Sequence, residues 1–225
     1  MGRPLSPGLL CTLPPMTICA VLFDMDGTIY DSGIDWFALR GEIDIPWDGR
    51  PILEQLAEVD PGTRERGLAA LHRIEAHGAD NGSLIDGVEE LLEFLEARGV
   101  RYALVTNNSR RSADVVLSRH PLPFDVVLTR EDGAPKPAPD LFLSALERLG
   151  GVPAERAVVI GDAHIDLLGA QAAGIPEVIL VGTPSWMKEH IPEGATYREA
   201  TDLRHVREHV EALLAEWAED VANGG

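Results

Sequence analysis

Five short runs of almost uninterrupted apolar residues constrain this chain more than any other feature: ICAVLF (Ile18 to Phe23), YALVT (Tyr102 to Thr106), DVVLT (Asp125 to Thr129), AVVIG (Ala157 to Gly161) and EVILVG (Glu177 to Gly182). A strand with one wet face alternates polar and apolar residues. These runs do not alternate, so both of their faces must be covered, as in a parallel sheet. Helical patterns lie between them. GVEELLEFLEARG sets Val88, Leu91, Leu92 and Leu95 on one face and stops at Gly99; PDLFLSALERLG does the same with Leu141, Phe142, Ala145, Leu146 and Leu149 and stops at Gly150. Strands alternating with helices predict an α/β fold built on a doubly wound, Rossmann-like parallel sheet. The stretch from Ala200 to Asp220 predicts a last amphipathic helix with Leu203, Val206, Val210, Leu213, Leu214 and Trp217 turned inward.

The rhythm breaks between Ile34 and Gly82, where DWFALRGEI, PILEQLAEV and TRERGLAALHRIEAHG are helical patterns and no strand stands out. This predicts a small all-helical cap, residues 33–82, inserted after the first strand into an α/β core made of residues 16–32 and 83–225. Tyr30 to Gly33 would lead into it and Asp80 to Gly87 out of it. Residues 1–15, interrupted by Pro4, Pro7, Pro14 and Pro15, are expected to form a disordered leader.

Composition narrows the partners. A chain of 225 residues, 45% of them hydrophobic, can bury a core without cross-links. Cys11 and Cys19 show no metal-ligand spacing, so reduced, structural thiols and a cytoplasmic location are the expectation. The formal net charge of −18 opposes nucleic acid and anionic membrane surfaces, and no apolar segment reaches the roughly 18 residues of a membrane span. Either a monomer or a homodimer fits. Of 19 basic residues only Lys136 and Lys188 are lysines, which singles both out.

In a doubly wound sheet the active site lies beyond the carboxyl ends of the strands. There the sequence puts Asp24 and Asp26 after the first run, Thr106, Asn107, Asn108 and Ser109 after the second, Lys136 in the loop after the third, and Asp162 and Asp166 after the fourth. One ammonium does not neutralise four carboxylates in a shared cleft, so a divalent cation is expected, and oxygen-only ligands point to Mg²⁺ rather than zinc. Each residue also has a plainer reading. Asp26-Gly27 is a common turn dipeptide, and Asp162, Thr106 or Ser109 could cap a helix. Caps and turns do not account for the aspartate pair, the rare lysine and the Gly-Asp-x-x-x-Asp spacing together.

Taken in order, FDMDGT, LVTNNS, KPAPDLF and GDAHID resemble the four motifs of the haloacid dehalogenase-like hydrolase superfamily, most of all its phosphoglycolate phosphatase-like branch, over about Ile18 to Gly182. The resemblance implies a Mg²⁺-dependent phosphatase that hydrolyses a small phosphorylated metabolite through an aspartyl-phosphate. Asp24 would be the nucleophile and Asp26 the acid and base, with the main-chain carbonyl of Asp26 facing the metal. Thr106, the Asn107 N–H and Lys136 would hold the phosphoryl group. Asp162 would ligate Mg²⁺, with Asp166 as a direct or indirect partner, and Gly27 and Thr28 would let the chain turn toward the cap.

Within that superfamily Asp26 speaks against dehalogenation, and the cap has no lysine for a Schiff base; a β-phosphoglucomutase-like mutase keeps all four motifs and stands as the alternative. A non-catalytic binding protein on the same fold is a further, weaker one. HVREH, His205 to His209, matches an inverted zinc-peptidase pattern but falls on the last helix, where Val206 and Val210 set the buried side. In the cap, Arg40 and Arg50 are the first candidates to contact a second anionic group on the substrate, and Trp36 and Trp47 are expected to pack between cap helices.

Overall fold

The structure, a computed structural model, describes residues 18–223, with side chains described through Glu216. Along the chain run β1 (Ala20–Phe23), β2 (Tyr30–Asp31), α1 (Trp36–Glu42), α2 (Ile52–Glu58), α3 (Pro61–Asn81), β3 (Ser83–Leu84), α4 (Val88–Glu96), β4 (Arg101–Val105) and α5 (Arg110–Arg119). There follow β5 (Val126–Leu128), α6 (Asp140–Arg148), β6 (Ala157–Gly161), α7 (His164–Ala172), β7 (Glu177–Val181), α8 (Ser185–Lys188), β8 (Arg198–Ala200) and α9 (Leu203–Asn223).

Six strands form one sheet in the order β5-β4-β1-β6-β7-β8, and every neighbouring pair is parallel. The alternation along β1 shows why its run had to be apolar throughout. Val21 and Phe23 enter the cluster under α4 and α9 on one face, while Ala20 and Leu22 enter the cluster under α6 and α7 on the other. β6 divides in the same way, with Val158 and Ile160 on the first face and Ala157 and Val159 on the second. Leu203, Val206, Val210 and Leu213 of α9 are buried and Leu214 packs against the same cluster, as the periodicity predicts; Trp217 and the leader lie outside the described residues and side chains.

The sixth strand, β8, has no counterpart among the five apolar runs. Its sequence is Arg-Glu-Ala, and it pairs on one side only, with β7, at the edge of the sheet. Only Ala200 of β8 is buried, and Glu199 is exposed, so this edge strand does not need the apolar run that the other edge strand, β5, and the inner strands carry. Cys19, buried ahead of β1, is disulfide-bonded, so the expectation of a reduced thiol is not met there.

Helices α1 to α3 sit between β2 and β3, which pair antiparallel with Tyr30 opposite Leu84 and Asp31 opposite Ser83. Leu39, Ile43, Ile45, Ile52, Leu56, Ala70 and Leu71 give this helical segment its own buried cluster. The end of α3 is tied down at its base. The Tyr30 hydroxyl donates to the Ala79 carbonyl at 3.0 Å, and Arg119 of α5 donates to the Tyr30 oxygen at 2.8 Å and to the same carbonyl at 2.6 Å.

Candidate active site

β1 lies between β4 and β6, where the strand order reverses direction, and this switch point opens a crevice beyond the strand ends. Asp24 follows β1, and its main-chain N–H donates to the Ile160 carbonyl at 2.9 Å, so sheet pairing continues one residue past the strand. Met25 then turns into the core, 1% exposed, which leaves Asp24 and Asp26 facing the same cavity. Behind them the chain turns sharply. Gly27 N–H donates to the Tyr30 carbonyl, and Gly27 has φ +76°, a left-handed conformation open to glycine. A Cβ there would stand 2.3 Å from Asp162 Oδ2, so the turn and the approach of β1 to β6 both require glycine.

Lys136 reaches this edge from the loop after β5. Its side chain is 1% exposed, and Nζ donates to Asp24 Oδ1, to Asp166 Oδ1 at 2.6 Å and to the Val105 carbonyl at 2.9 Å. All three ammonium protons are thus engaged. The Asn107 amide fixes the loop that carries it: Lys136 N–H donates to Asn107 Oδ1 at 2.8 Å and Asn107 Nδ2 donates back to the Lys136 carbonyl at 2.9 Å. The Asn107 N–H has no partner among the described residues, and Asn107 is one of the residues that line the cavity. Thr106, 1% exposed, accepts from the Asn108 N–H at 3.1 Å, which bends the chain at the end of β4.

Of the plainer capping readings, Ser109 is the one that holds, since it caps α5. Asp162 does not cap α7. The N-cap position is Ala163, and its N–H is satisfied by Asp166 Oδ2 at 3.2 Å. Asp162 is left facing the cavity.

The electrostatics follow from crowding acids in a buried place. Burial pushes Asp24 up to about 6 against the pull of Lys136, and burial likewise pushes Asp26 up to about 6 while hydrogen bonds from Ser32 and Asn108 oppose it. Asp162 is raised well above the ordinary carboxylate range, by burial first and then by Asp24 and Asp166. Lys136 is raised despite burial, because Asp166 and Asp24 flank it. Asp24, Asp162 and Asp166 bring carboxylate oxygens within 4.8 Å of one another. Such a set of hard oxygen donors, served by a single ammonium and costly to ionise alone, fits a small divalent cation.

The Asp26 carboxylate stands apart from that triad. Asn108 Nδ2 donates to its Oδ2, and Oδ1 is enclosed without a partner among the described residues. The sequence places Asn108 at the end of the second apolar run without a role of its own; the structure sets its amide on the Asp26 carboxylate.

The helical segment closes the other side of a cavity of about 350 Å³, within the usual size of small-molecule pockets. Trp36, Arg40, Trp47, Arg50 and Leu53 line it from that segment, and Trp186 and Met187 of α8 from the sheet side. Trp47 donates from Nε1 to His190 Nε2 at 3.0 Å and its ring meets Trp186 at 5.0 Å between centroids, while His164 Nε2 lies 2.7 Å from the Gly49 carbonyl. Trp47 therefore lines the cavity and clasps the sheet side as well as packing among helices.

Arg40 and Arg50 are both present in the lining and both committed. Arg40, 5% exposed, donates to Gln55 Oε1 and to the Arg50 carbonyl at 2.9 Å and stacks over Trp47. Arg50 pairs with Asp48 and Glu58, each at 2.8 Å. Glu75 of α3, 2% exposed, pairs with both terminal nitrogens of Arg130, which also donates to the Asn107 carbonyl at 3.1 Å. On the last helix, His205 accepts from the Thr201 N–H and His209 bonds the Glu199 carbonyl at 2.9 Å, and no acid, cysteine and histidine group able to hold a metal forms there among the described residues.

The family profile described as "Hydrolase: haloacid dehalogenase-like hydrolase" matches residues 18–174. A phosphoglycolate phosphatase from Xanthomonas campestris is 34% identical over 182 residues, covering 71% of this chain and 81% of that one. A pyrophosphatase PpaX from Bacillus mycoides is 27% identical over 216 residues, covering 88% and 96%. Among solved structures, a hydrolase from Pseudomonas syringae shares the fold with a TM-score of 0.71 at 22% identity, covering 86% and 98%. Four strand-end motifs on this sheet and a profile match across most of the chain lead to one conclusion: the chain belongs to the haloacid dehalogenase-like hydrolase family.

Proposed function

We propose that this hydrolase is a Mg²⁺-dependent phosphatase that cleaves a small-molecule phosphate monoester through an aspartyl-phosphate. The observation that carries the reading is the Lys136 ammonium held between Asp24 and Asp166, with Asp26 two residues along the chain and facing the same cavity. Relatives named phosphoglycolate phosphatase and pyrophosphatase support phosphate release as the outcome.

In this reading an Asp24 oxygen attacks phosphorus, forming the acyl-phosphate bond while the bond to the ester oxygen breaks. Asp26, whose burial raises its pKa to about 6 and so keeps a protonated fraction near neutrality, gives its proton to the departing oxygen. As a carboxylate it then takes a proton from the water that attacks phosphorus, which frees phosphate and restores both aspartates. Lys136 keeps Asp24 ionised and offsets charge on the phosphoryl oxygens, and the open Asn107 N–H with Thr106 receives them. Asp24, Asp162 and the Asp26 main-chain carbonyl would hold Mg²⁺, which when bound supplies the remaining positive charge. Asp166 has both oxygens engaged, on Lys136 and on the Ala163 N–H, and so stands behind these ligands and orients Lys136.

The helical segment serves as a cap that excludes bulk water from the site while leaving room for the one water that hydrolyses the acyl-phosphate. The test is phosphate release from p-nitrophenyl phosphate with Mg²⁺: it should be lost in Asp24→Asn. Interconversion of a sugar phosphate without net phosphate release would instead favour a mutase.

A further inference from the structure

Resting on the phosphatase reading of this site, we propose that the cap side of the cavity selects an uncharged leaving group with an apolar, ring-sized face, and rejects a leaving group that carries a carboxylate or a second phosphate. Trp47, Trp186 and Leu53 are the residues that set this preference.

A second anionic group on a substrate needs a cation or a set of free donors to replace its water. Among the described residues that line the cavity, the lysine and arginine side chains are Lys136, Arg40 and Arg50. Lys136 has all three protons engaged at the phosphoryl end. Arg40 is turned into the cap, bound to Gln55 and to the Pro46 and Arg50 carbonyls, and its Nε is enclosed without a partner. Arg50 is neutralised by two carboxylates, Asp48 and Glu58. His164 turns its Nε2 to the Gly49 carbonyl. The remaining charges in the lining away from the metal-ligating acids are negative: Asp31, and Glu75, whose carboxylate is already filled by Arg130.

What the cap end does offer is apolar surface. Three of the four tryptophans of the chain, Trp36, Trp47 and Trp186, border the cavity, together with Ile52, Leu53 and Met187. The Trp47 and Trp186 rings are held edge to face at 5.0 Å and 84°, which fixes each against the other and leaves an aromatic wall for a flat partner. An uncharged ring gains contact there without losing hydration, whereas a carboxylate would lose its water and meet no cation that is not already engaged.

The experiment compares kcat/KM with Mg²⁺ for phenyl phosphate and 4-carboxyphenyl phosphate. The carboxylated phenol is the slightly better leaving group, so a preference for phenyl phosphate reports recognition and not reactivity. The expected preference is about tenfold or more, the scale of one lost contact in a specificity pocket. Trp47→Ala should raise KM for phenyl phosphate more than it lowers kcat. Leu53→Arg, which places a free guanidinium in the wall, should move the ratio toward the carboxylated ester. Equal or better turnover of the carboxylated ester by the unaltered protein overturns the inference and leaves the phosphatase reading standing.

If no ester, acetyl phosphate included, releases phosphate with Mg²⁺, the phosphatase reading fails. The pocket is then tested by quenching of tryptophan fluorescence with benzylphosphonate and 4-carboxybenzylphosphonate. Tighter binding of the uncharged ligand supports the preference, and equal or weaker binding overturns it.

Discussion

Lys136 Nζ lies 2.6 Å from Asp166 Oδ1, and both side chains are 1% exposed. Removing one partner of a buried ion pair leaves the other charge without compensation, which typically costs about 3 to 5 kcal/mol. Lys136→Ala should therefore lose unfolding free energy on that scale, measured by urea denaturation, and should release no phosphate. Unchanged urea stability would show that the ammonium is not seated as described.

The buried acids make the metal-free protein sensitive to pH in a definite direction. Asp24 and Asp26 titrate near 6 in the folded chain, against about 3.9 in an unfolded one. Between those values the folded state binds more protons than the unfolded state, so these groups make stability fall as pH rises through that window. Compared with an Asp24→Asn, Asp26→Asn double variant, the metal-free protein should lose melting temperature from pH 4.5 to pH 6.5. Addition of Mg²⁺ should raise the melting temperature more at pH 7.5 than at pH 5, and equal gains at both would contradict the assignment.

Glu75 and Arg130 join α3 to the loop after β5 with little exposure on either side, 2% and 10%. Glu75→Ala leaves a guanidinium enclosed beside the Asn107 carbonyl. We expect about 3 to 5 kcal/mol of destabilisation by the same reasoning, together with faster hydrogen exchange in α3. Exchange in α3 that does not change would mean that the pair does not anchor the helix.

Gly27→Ala combines a left-handed backbone, costing about 1 to 2 kcal/mol for a residue with a Cβ, with the close approach of that Cβ to Asp162 Oδ2. The variant should fold, because the turn lies at the strand end and not within the sheet. It should show a weaker Mg²⁺-induced shift in melting temperature than the unaltered protein; a shift of the original size would show that Asp162 can move aside freely.

Much of this arrangement was legible in the sequence, for physical reasons. Strands buried on both faces cannot hide their composition, so the four inner strands and the edge strand β5 read directly as apolar runs, and the acids at their ends marked the open edge. The edge strand β8 was not legible, because Arg198 and Glu199 need no burial on its solvent flank. The commitments of Arg40 and Arg50 were not legible either. Arg40 meets Gln55 and Arg50 meets Glu58 through the packing of α1, the Trp47 loop and α2, and no local pattern reports such partners. Trp186 joined the cavity wall from α8, 139 positions beyond Trp47, a proximity that only the folded sheet creates. The cap end of the site is thus where sequence reading stops, since its chemistry depends on which charges are already paired.

The central claim is that Asp24 carries the phosphoryl group, and its most direct test is a rapid acid quench of the Asp26→Ala protein reacting with p-nitrophenyl phosphate and Mg²⁺. Mass spectrometry of the peptide containing Asp24 should show the added mass of one phosphoryl group on that residue. Phosphate release by Asp24→Asn at the rate of the unaltered protein, with no phosphorylated peptide in the quenched samples, would contradict it.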